Sequence, residues 1–345
     1  MGTILVTGGA GYIGSHVARQ LGERSERIVT LDNLSTGFRA AVLYGDLVVG
    51  DTGDATTVAR VLRDYGVDTV MHFAAHIVVP ESVADPLKYY RNNTASTRTL
   101  LQCCVEAGVR HFVFSSTAAV YGIPAGGVAS EDTPTAPINP YGRSKLMSEW
   151  MLADVAAATP LRYAALRYFN VAGADPGGRI GQSTPAATHL IKVACEHVVG
   201  KRDHVAIFGT DYDTPDGTGV RDYIHVEDLA AAHLNALDYL RGGGAPVTLN
   251  CGYGRGFSVR EVLDCVAAVA SRPLTIREAP RRAGDPPTLV AEARLIGRIL
   301  DWVPHYRDLP GIVGTALAWE WTLTDRGTDD VARTEQAKLS SPVVA

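Results

Sequence analysis

The stretch TILVTGGAGYIGSH, residues 3–16, leaves a chain few options: an apolar run of strand type, a turn with four glycines, then a helix-compatible segment. Gly8, Gly11 and Gly14 follow a G-x-x-G-x-x-G spacing. A turn without side chains lets backbone amides touch a pyrophosphate, whose charge then sits at the N-terminus of a helix beginning near Tyr12. Alone, such a turn is equally an ordinary tight loop. The partner feature is Asp32, which closes the next apolar run eighteen residues after Gly14. A carboxylate there accepts both hydroxyls of an adenosine ribose and repels a 2′-phosphate, which favours NAD over NADP. Asn33 stands beside it, and Asp51, after the third apolar run, is placed near the adenine. Arg39, past a turn at STG, is a basic group that argues weakly the other way.

Beyond the turn, strand-like runs (RIVTLDN, LVVGD, TVMHFAA, HFVFSST) alternate with helical patterns, notably residues 54–65 and a long segment from about Pro86 to Ala107 that ends at Gly108. Their apolarity is continuous, so both faces of the strands are expected to be covered. That predicts an α/β fold: a doubly wound parallel sheet of Rossmann type. After Arg167 the connections lengthen and fill with Gly and Pro, which predicts a smaller mixed α/β lobe. We place the dinucleotide-binding part at residues 1–175 and the lobe at 176–322, with 222–252 returning to the first sheet. Asp222–Tyr239 reads as helical and VTLNCG as a strand. Residues 325–345 are polar with little periodicity and read as a disordered tail.

Of the 345 residues, 32 are Lys or Arg and 37 Asp or Glu, interspersed, for a formal charge of -5. That balance offers no footprint for nucleic acid or an anionic membrane. No apolar run reaches membrane-spanning length, and no secretory leader is evident, so the cytoplasm is expected. Cys103, Cys104, Cys195, Cys251 and Cys265 form no C-x-x-C, so buried free thiols are expected rather than a disulfide framework or a metal site.

A second constellation follows the fifth strand: SSTAAVYG (115–122), then PYGRSK (140–145). Tyr141 and Lys145 share one face of a helix that starts near Tyr141. A phenol has a reference pKa near 10, so a base working at neutral pH needs roughly three units of depression, about 4 kcal/mol. The Lys145 ammonium and the positive nicotinamide ring of oxidised NAD are suited to provide it. Thr117, or its neighbour Ser116, would hydrogen-bond a substrate hydroxyl and aim it at Tyr141. A solvent-facing tyrosine and lysine on an ordinary amphipathic helix is the competing reading.

TGGAGYIG paired with YGRSK resembles the extended short-chain dehydrogenase/reductase family. PLKYYRNN, LRYFNVAGA, AIFGTDYDTPDGTGVRDYIHVEDLA and RRAGDPP are similar to its UDP-sugar 4-epimerase branch, over almost the whole chain to about Trp321. The resemblance implies a homodimer, through helices near 86–107 and 141–158, that interconverts UDP-glucose and UDP-galactose. The sugar would be oxidised transiently at carbon 4, turned as its 4-keto form, and given hydride back on the other face. The residues matching the family's NAD positions are Gly8, Gly11, Tyr12, Ile13, Gly14, Asp32, Asn33, Asp51, Thr52, Phe73, Ala74, Ala75, Asn92, Ser115, Tyr141, Lys145 and Tyr168. Tyr141, Lys145 and Thr117 match the catalytic set. For the substrate, Arg221 and Arg282 would hold the diphosphate, Asn170 would add a hydrogen bond, and Asp285 would accept from the uridine ribose. Leu190, Ala206 and Phe208 would adjoin the uracil, although Leu190 and Phe208 are equally compatible with core packing.

The chain departs from the family at four of these places. Thr117 replaces a common serine, Ile77 a lysine near the cofactor phosphates, and His189 an asparagine near the uridine. Leu289 occupies the position that admits or excludes N-acetylated sugars, and its size is intermediate. The competing functions are an epimerase or decarboxylase for another UDP-sugar, N-acetylhexosamine or pentose, and a non-catalytic NAD-sensing protein. AAVY after Thr117 lacks the Asp-Glu pair that a dehydratase needs.

Overall fold

The computed structural model describes residues 2–184 and 186–339. From the N-terminus the elements are β1 (Thr3–Thr7), α1 (Tyr12–Glu23), β2 (Ile28–Asp32), β3 (Asp46–Val49), α2 (Ala55–Asp64) and β4 (Val67–His72). Next come α3 (Val79–Ala84), α4 (Pro86–Tyr89), α5 (Ser96–Glu106), β5 (His111–Thr117), β6 (Val128–Ala129) and α6 (Pro140–Ala158). The second half contains β7 (Arg162–Tyr168), β8 (Asn170–Ala172), α7 (Leu190–Val198), β9 (Val205–Phe208), β10 (Val220–His225) and α8 (Val226–Arg241). It closes with β11 (Val247–Cys251), β12 (Gly256–Ser258), α9 (Val259–Ala270), β13 (Ile276–Ala279), β14 (Thr288–Ala291), α10 (Arg294–Leu300) and α11 (Leu309–Leu339).

Seven strands form one parallel sheet in the order β11-β7-β5-β4-β1-β2-β3. The order reverses between β1 and β4, which puts the ligand crevice beyond their carboxyl ends. Successive residues serve opposite faces. Ile4, Val6, Val113 and Leu166 join α1, α8 and α10 in one core, while Leu5, Phe112, Phe114 and Ala165 join α2, α5 and α6 in the other. The continuous apolarity of these strands is the consequence of that double cover. The rest of the chain builds β12-β10-β14-β6 with β8 paired to β10, plus the small β13-β9 sheet. A third core lies among α7, α9 and α11.

Three expectations need correction. Asp222–His225 is strand, the end of β10, and the helix starts only at Val226. The reason is His225, whose Nδ1 accepts the Glu227 amide at 3.1 Å and caps α8, while the aromatic and β-branched residues before it pair with β8. The long helix from Pro86 is continuous in course but contains a π-helical turn at Tyr90–Ala95. It ends as expected, with Gly108 at φ +71°. Residues 325–339, expected as a disordered tail, continue α11, because each added residue extends an existing hydrogen-bonded helix without a new nucleus. Residues 340–345 lie outside the described residues. Of the segment expected to return to the first sheet, α8 packs on α1 and β11 pairs with β7, whereas Asp222–His225 stays in the second sheet as part of β10. Among the described residues no helix is long and apolar enough to cross a membrane.

Leu237, buried on α8 within the core shared by α1 and the sheet, tests this return. Leu237→Ala is expected to lower stability by about 2–5 kcal/mol, read as a fall in the denaturant midpoint. An unchanged midpoint would mean that α8 does not seal this face.

Candidate active site

The glycine turn is shaped by close backbone approach. Gly8 has φ +68°, and a Cβ at Gly14 would lie 2.3 Å from the Gly8 carbonyl oxygen, so α1 can seat on the turn only with glycine there. α1 starts at Gly11 with no side-chain cap and no acid in its first turn. Its first amides and the positive end of its dipole are thus directed at the strand ends, an arrangement that suits a pyrophosphate. Asp32 is buried at the end of β2; its Oδ2 accepts from Ala10 N at 3.0 Å and its Oδ1 from Leu34 N at 2.8 Å. Those amides orient the carboxylate, and each oxygen retains a second lone pair.

Asn33 Nδ2 donates to Asp51 Oδ2 at 2.9 Å, and Asp51 Oδ1 accepts from Gly53 N at 2.7 Å, next to buried Thr52. Phe73, Ala74 and Ala75 leave β4 beside the turn, Phe73 N donating to Thr7 O at 3.0 Å. Half-buried Ile13 lies in the first turn of α1. The hydroxyl of Tyr12 is committed elsewhere: it donates to Gly173 O at 2.6 Å. Asn92 sits on the π-helical turn, and Ile77 is 44% exposed.

At the end of β5 the period of two decides between the two candidate hydroxyls. Ser116 points to the far side and donates to buried Glu149, whereas Thr117 lies on the side of the Tyr141 phenol and its hydroxyl favours the phenolate. α6 begins with Asn139, whose side chain accepts from Gly142 N at 2.8 Å, followed by Pro140 at the first helical position. Tyr141 and Lys145 consequently stand one turn apart on its buried face. Lys145 Nζ donates to Ser115 O at 2.8 Å and lies 4.9 Å from the Phe114 ring centroid. Ser115 Oγ and Tyr168 OH share a hydrogen bond.

Burial opposes the charged form of both groups. It pushes the Tyr141 phenol up to about 12, against which the Thr117 hydroxyl acts, and pulls Lys145 down to about 7, against which Glu149 acts. Burial thus enlarges the demand that spacing alone implied.

Most substrate candidates lie on elements outside the main sheet. Arg221 on β10 and Leu289 on β14 are register partners. Arg221 donates to Val220 O and Pro287 O, and burial lowers its pKa. Arg282 Nε donates to Asp285 Oδ2 at 3.0 Å, and its guanidinium lies 4.5 Å from the Phe208 ring centroid. Phe208 is 38% exposed, which rules out a core role. Leu190, first in α7, does pack partly on the third core, and Ala206 on β9 is half-buried. His189 precedes α7 with Nδ1 2.9 Å from Gln182 Nε2; burial and the nearby Arg282 lower its pKa, so it is neutral. Half-buried Asn170 on β8 pairs with Tyr223. Leu289 is buried against Ala118, Val120 and Leu146, within the cluster that adjoins Thr117 and α6.

Sequence reasoning passed over Asn93, whose side chain accepts from His76 N at 2.9 Å and donates to His76 O and Ser144 Oγ, tying the exit of β4 to α6. The asparagine doublet was its only signal. It also passed over Glu149 and Arg167, which form a buried ion pair behind Lys145.

A parallel sheet with a glycine turn at its crevice, an oriented acid after β2, and a buried Thr–Tyr–Lys set define a nicotinamide-dependent enzyme acting at a carbinol carbon. The chain belongs to the NAD dependent epimerase/dehydratase family, matched over residues 4–252. It is 59% identical over 321 residues to a UDP-glucose 4-epimerase of Azospirillum brasilense, covering 93% of this chain and 92% of the relative. Among solved structures, UDP-glucose 4-epimerase from Brucella ovis in complex with NAD superposes with a TM-score of 0.89 at 45% identity, covering 92% of this chain and 98% of that one. The UDP-Glc/GlcNAc 4-epimerase of Campylobacter jejuni gives 0.81 at 48% identity, covering 93% and 100%.

The close seat of α1 leads to a test. Gly14→Ala is expected to yield folded protein that purifies with much less bound NAD than the parent, measured by cofactor release on denaturation. Equal NAD content would show that the seat of α1 is not needed to grip the nucleotide.

Proposed function

We propose that this chain catalyses the NAD-dependent interconversion of UDP-glucose and UDP-galactose by transient oxidation at sugar carbon 4, rotation of the 4-keto sugar and hydride return. The observation that carries the reading is the buried Tyr141 phenol beside Thr117, with buried Lys145 one turn beyond, at the carboxyl edge of a nucleotide-binding sheet. Residues 1–175, with 222–252, form the dinucleotide-binding part, and 176–322 bind the UDP-sugar.

Bound NAD supplies a reversible hydride acceptor for carbon 4. Gly8, Gly11 and Gly14 would hold its pyrophosphate at the start of α1, and Asp32 would hold the adenosine ribose. Thr117 lines up the carbon-4 hydroxyl, and the Tyr141 oxygen takes its proton and later gives one back. The Lys145 ammonium favours the phenolate that this proton transfer needs. Arg221 and Arg282 grip the diphosphate through charge-assisted hydrogen bonds. Asp285, oriented by Arg282, serves the uridine ribose, and Phe208, Leu190 and Ala206 adjoin the uracil. Asn170 and His189 add neutral hydrogen bonds. Anchoring by the nucleotide leaves the hexose free to turn over between the two proton transfers.

Leu289 supports a second reading, a site that also accepts N-acetylated UDP-sugars. Leucine fills less space than a tyrosine, and the Campylobacter jejuni relative is named for both UDP-Glc and UDP-GlcNAc. Five free thiols, four of them buried, suit the reducing cytoplasm.

Purified protein given UDP-galactose without added cofactor is expected to form UDP-glucose until a near-equilibrium mixture is reached, followed by chromatography. Tyr141→Phe is expected to remove nearly all turnover while retaining NAD; undiminished turnover would sink the base assignment. No conversion by the parent protein, with NAD bound, would move the reading to UDP-N-acetylhexosamines and UDP-pentoses.

The reading includes a homodimer built on α4, α5 and α6. Its support is an apolar face in which Leu87 is 75% exposed and Trp150 57% exposed. Sedimentation velocity is expected to give a dimer for the parent and a monomer for Leu87→Asp combined with Trp150→Asp; a monomeric parent would refute it.

A further inference from the structure

A buried charge pair stands directly behind the Tyr141–Lys145 set and takes no part in the mechanism above. Tyr141, Lys145 and Glu149 follow one another at single-turn spacing along α6, and all three are buried. β5 holds two of them from consecutive residues: the Ser115 carbonyl accepts from the Lys145 ammonium at 2.8 Å, and the Ser116 hydroxyl donates to Glu149. Arg167 on β7 closes the back, with Nε 2.9 Å from Glu149 Oε1 and Nη2 2.6 Å from Oε2. Its Nη1 donates to Tyr121 OH at 3.0 Å, and that hydroxyl donates to Asn250 Oδ1 at 2.7 Å. Glu149 is thus fixed from two strands, and its position relative to Lys145 is set by the helix.

The groups facing Lys145 are few. Tyr141 and Glu149 share its helix, Ser115 and the Phe114 ring face it from β5, and His72 faces it from β4. His72 is held neutral by burial, which pulls it down to about 3. Tyr168 on β7 bonds Ser115, and burial keeps its phenol protonated. Glu149 itself is faced by Ser116 from β5 and by Arg167 from β7, with Tyr121 beyond. Of all these, Glu149 is the charged group that favours a positive Lys145.

We infer that Glu149, held by Arg167 and Ser116, is a positioning residue that keeps the Lys145 side chain in its ammonium form and thereby sets the share of Tyr141 present as phenolate. The inference rests on Tyr141 being the base proposed above. Once the pair has lost one proton, it exists either as phenolate with ammonium or as phenol with amine. The ratio of those two forms does not change with pH and is fixed by the surroundings. A carboxylate beside the lysine tilts the ratio toward the working form. Arg167 tilts it back, since its own charge partly cancels that of Glu149.

The opposing signs separate this role from a simple core staple. Glu149→Gln leaves Arg167 as an uncompensated cation near Lys145, the least favourable case. Glu149→Gln combined with Arg167→Met removes both charges and is intermediate. A staple would make the double variant at least as defective as the single one. The measurement is the tyrosinate ultraviolet absorbance through a pH titration of the NAD-bound protein, each variant corrected by its own Tyr141→Phe partner.

Glu149→Gln is expected to raise the Tyr141 midpoint by about one pH unit and to lower kcat at neutral pH about tenfold with KM for UDP-galactose little changed. Glu149→Asp should restore most of the loss, and the double variant should fall between Glu149→Gln and the parent. A parental midpoint in Glu149→Gln, or a double variant no better than the single, overturns the inference. If Glu149→Gln does not fold, the double variant, which strands no charge, decides alone: a midpoint above the parent's supports the role, and an equal one overturns it. Failure of the base assignment shows separately as undiminished turnover in Tyr141→Phe, because the midpoints are read whether or not UDP-galactose is converted.

Discussion

A phenol and an amine placed out of water resist the charges that their chemistry requires, and much of this architecture answers that difficulty. Tyr141 and Lys145 are both buried, and burial moves each away from its ionised form. The counterweights are fixed by main-chain geometry. The carboxyl end of β5 offers one carbonyl to Lys145 and one hydroxyl to Tyr141, and the Asn139 cap sets where α6 begins. Preorganised dipoles of this kind need no rearrangement when charge develops, which is why a dry site can outperform a wet one.

The nucleotide side of the molecule was legible because its constraints are local. A Cβ at Gly14 would meet a carbonyl within its own turn, so the glycine spacing carries the geometry in itself. The Tyr141–Lys145 relation is likewise one helical turn. The choice of Thr117 over Ser116 was open in the sequence, since two adjacent hydroxyls precede the turn and only strand parity, seen once Ser116 meets Glu149, separates them. Asp222–His225 was misread for a similar reason: its strand character comes from pairing with β8, a partner some fifty residues earlier. Glu149 and Arg167 went unnoticed because a buried ion pair looks like two surface residues until a fold brings them together.

The proposed substrate side is assembled from the least regular parts of the chain. Arg221 and Leu289 meet through a two-residue register between β10 and β14, while Arg282, Asp285 and Phe208 come together on loops and a short edge strand. In the proposed site, a strand end and the first turns of a long helix carry Thr117, Tyr141 and Lys145, and shorter elements carry the recognition candidates. That division suits a reaction in which one part of the substrate must stay while the other turns.

The main sheet is also discontinuous in the chain. β7 ends at Tyr168, and its outer neighbour β11 begins only at Val247, after the whole of β8, α7, β9, β10 and α8. During synthesis, then, Ala164, Ala165 and Leu166 leave the ribosome on an unpaired edge, and one sheet face lacks the helix that will cover it. Such an edge is a template for pairing with another nascent chain. The price of interleaving the two halves is a window in translation when the growing polypeptide depends on being shielded, and it closes only once residue 251 has emerged.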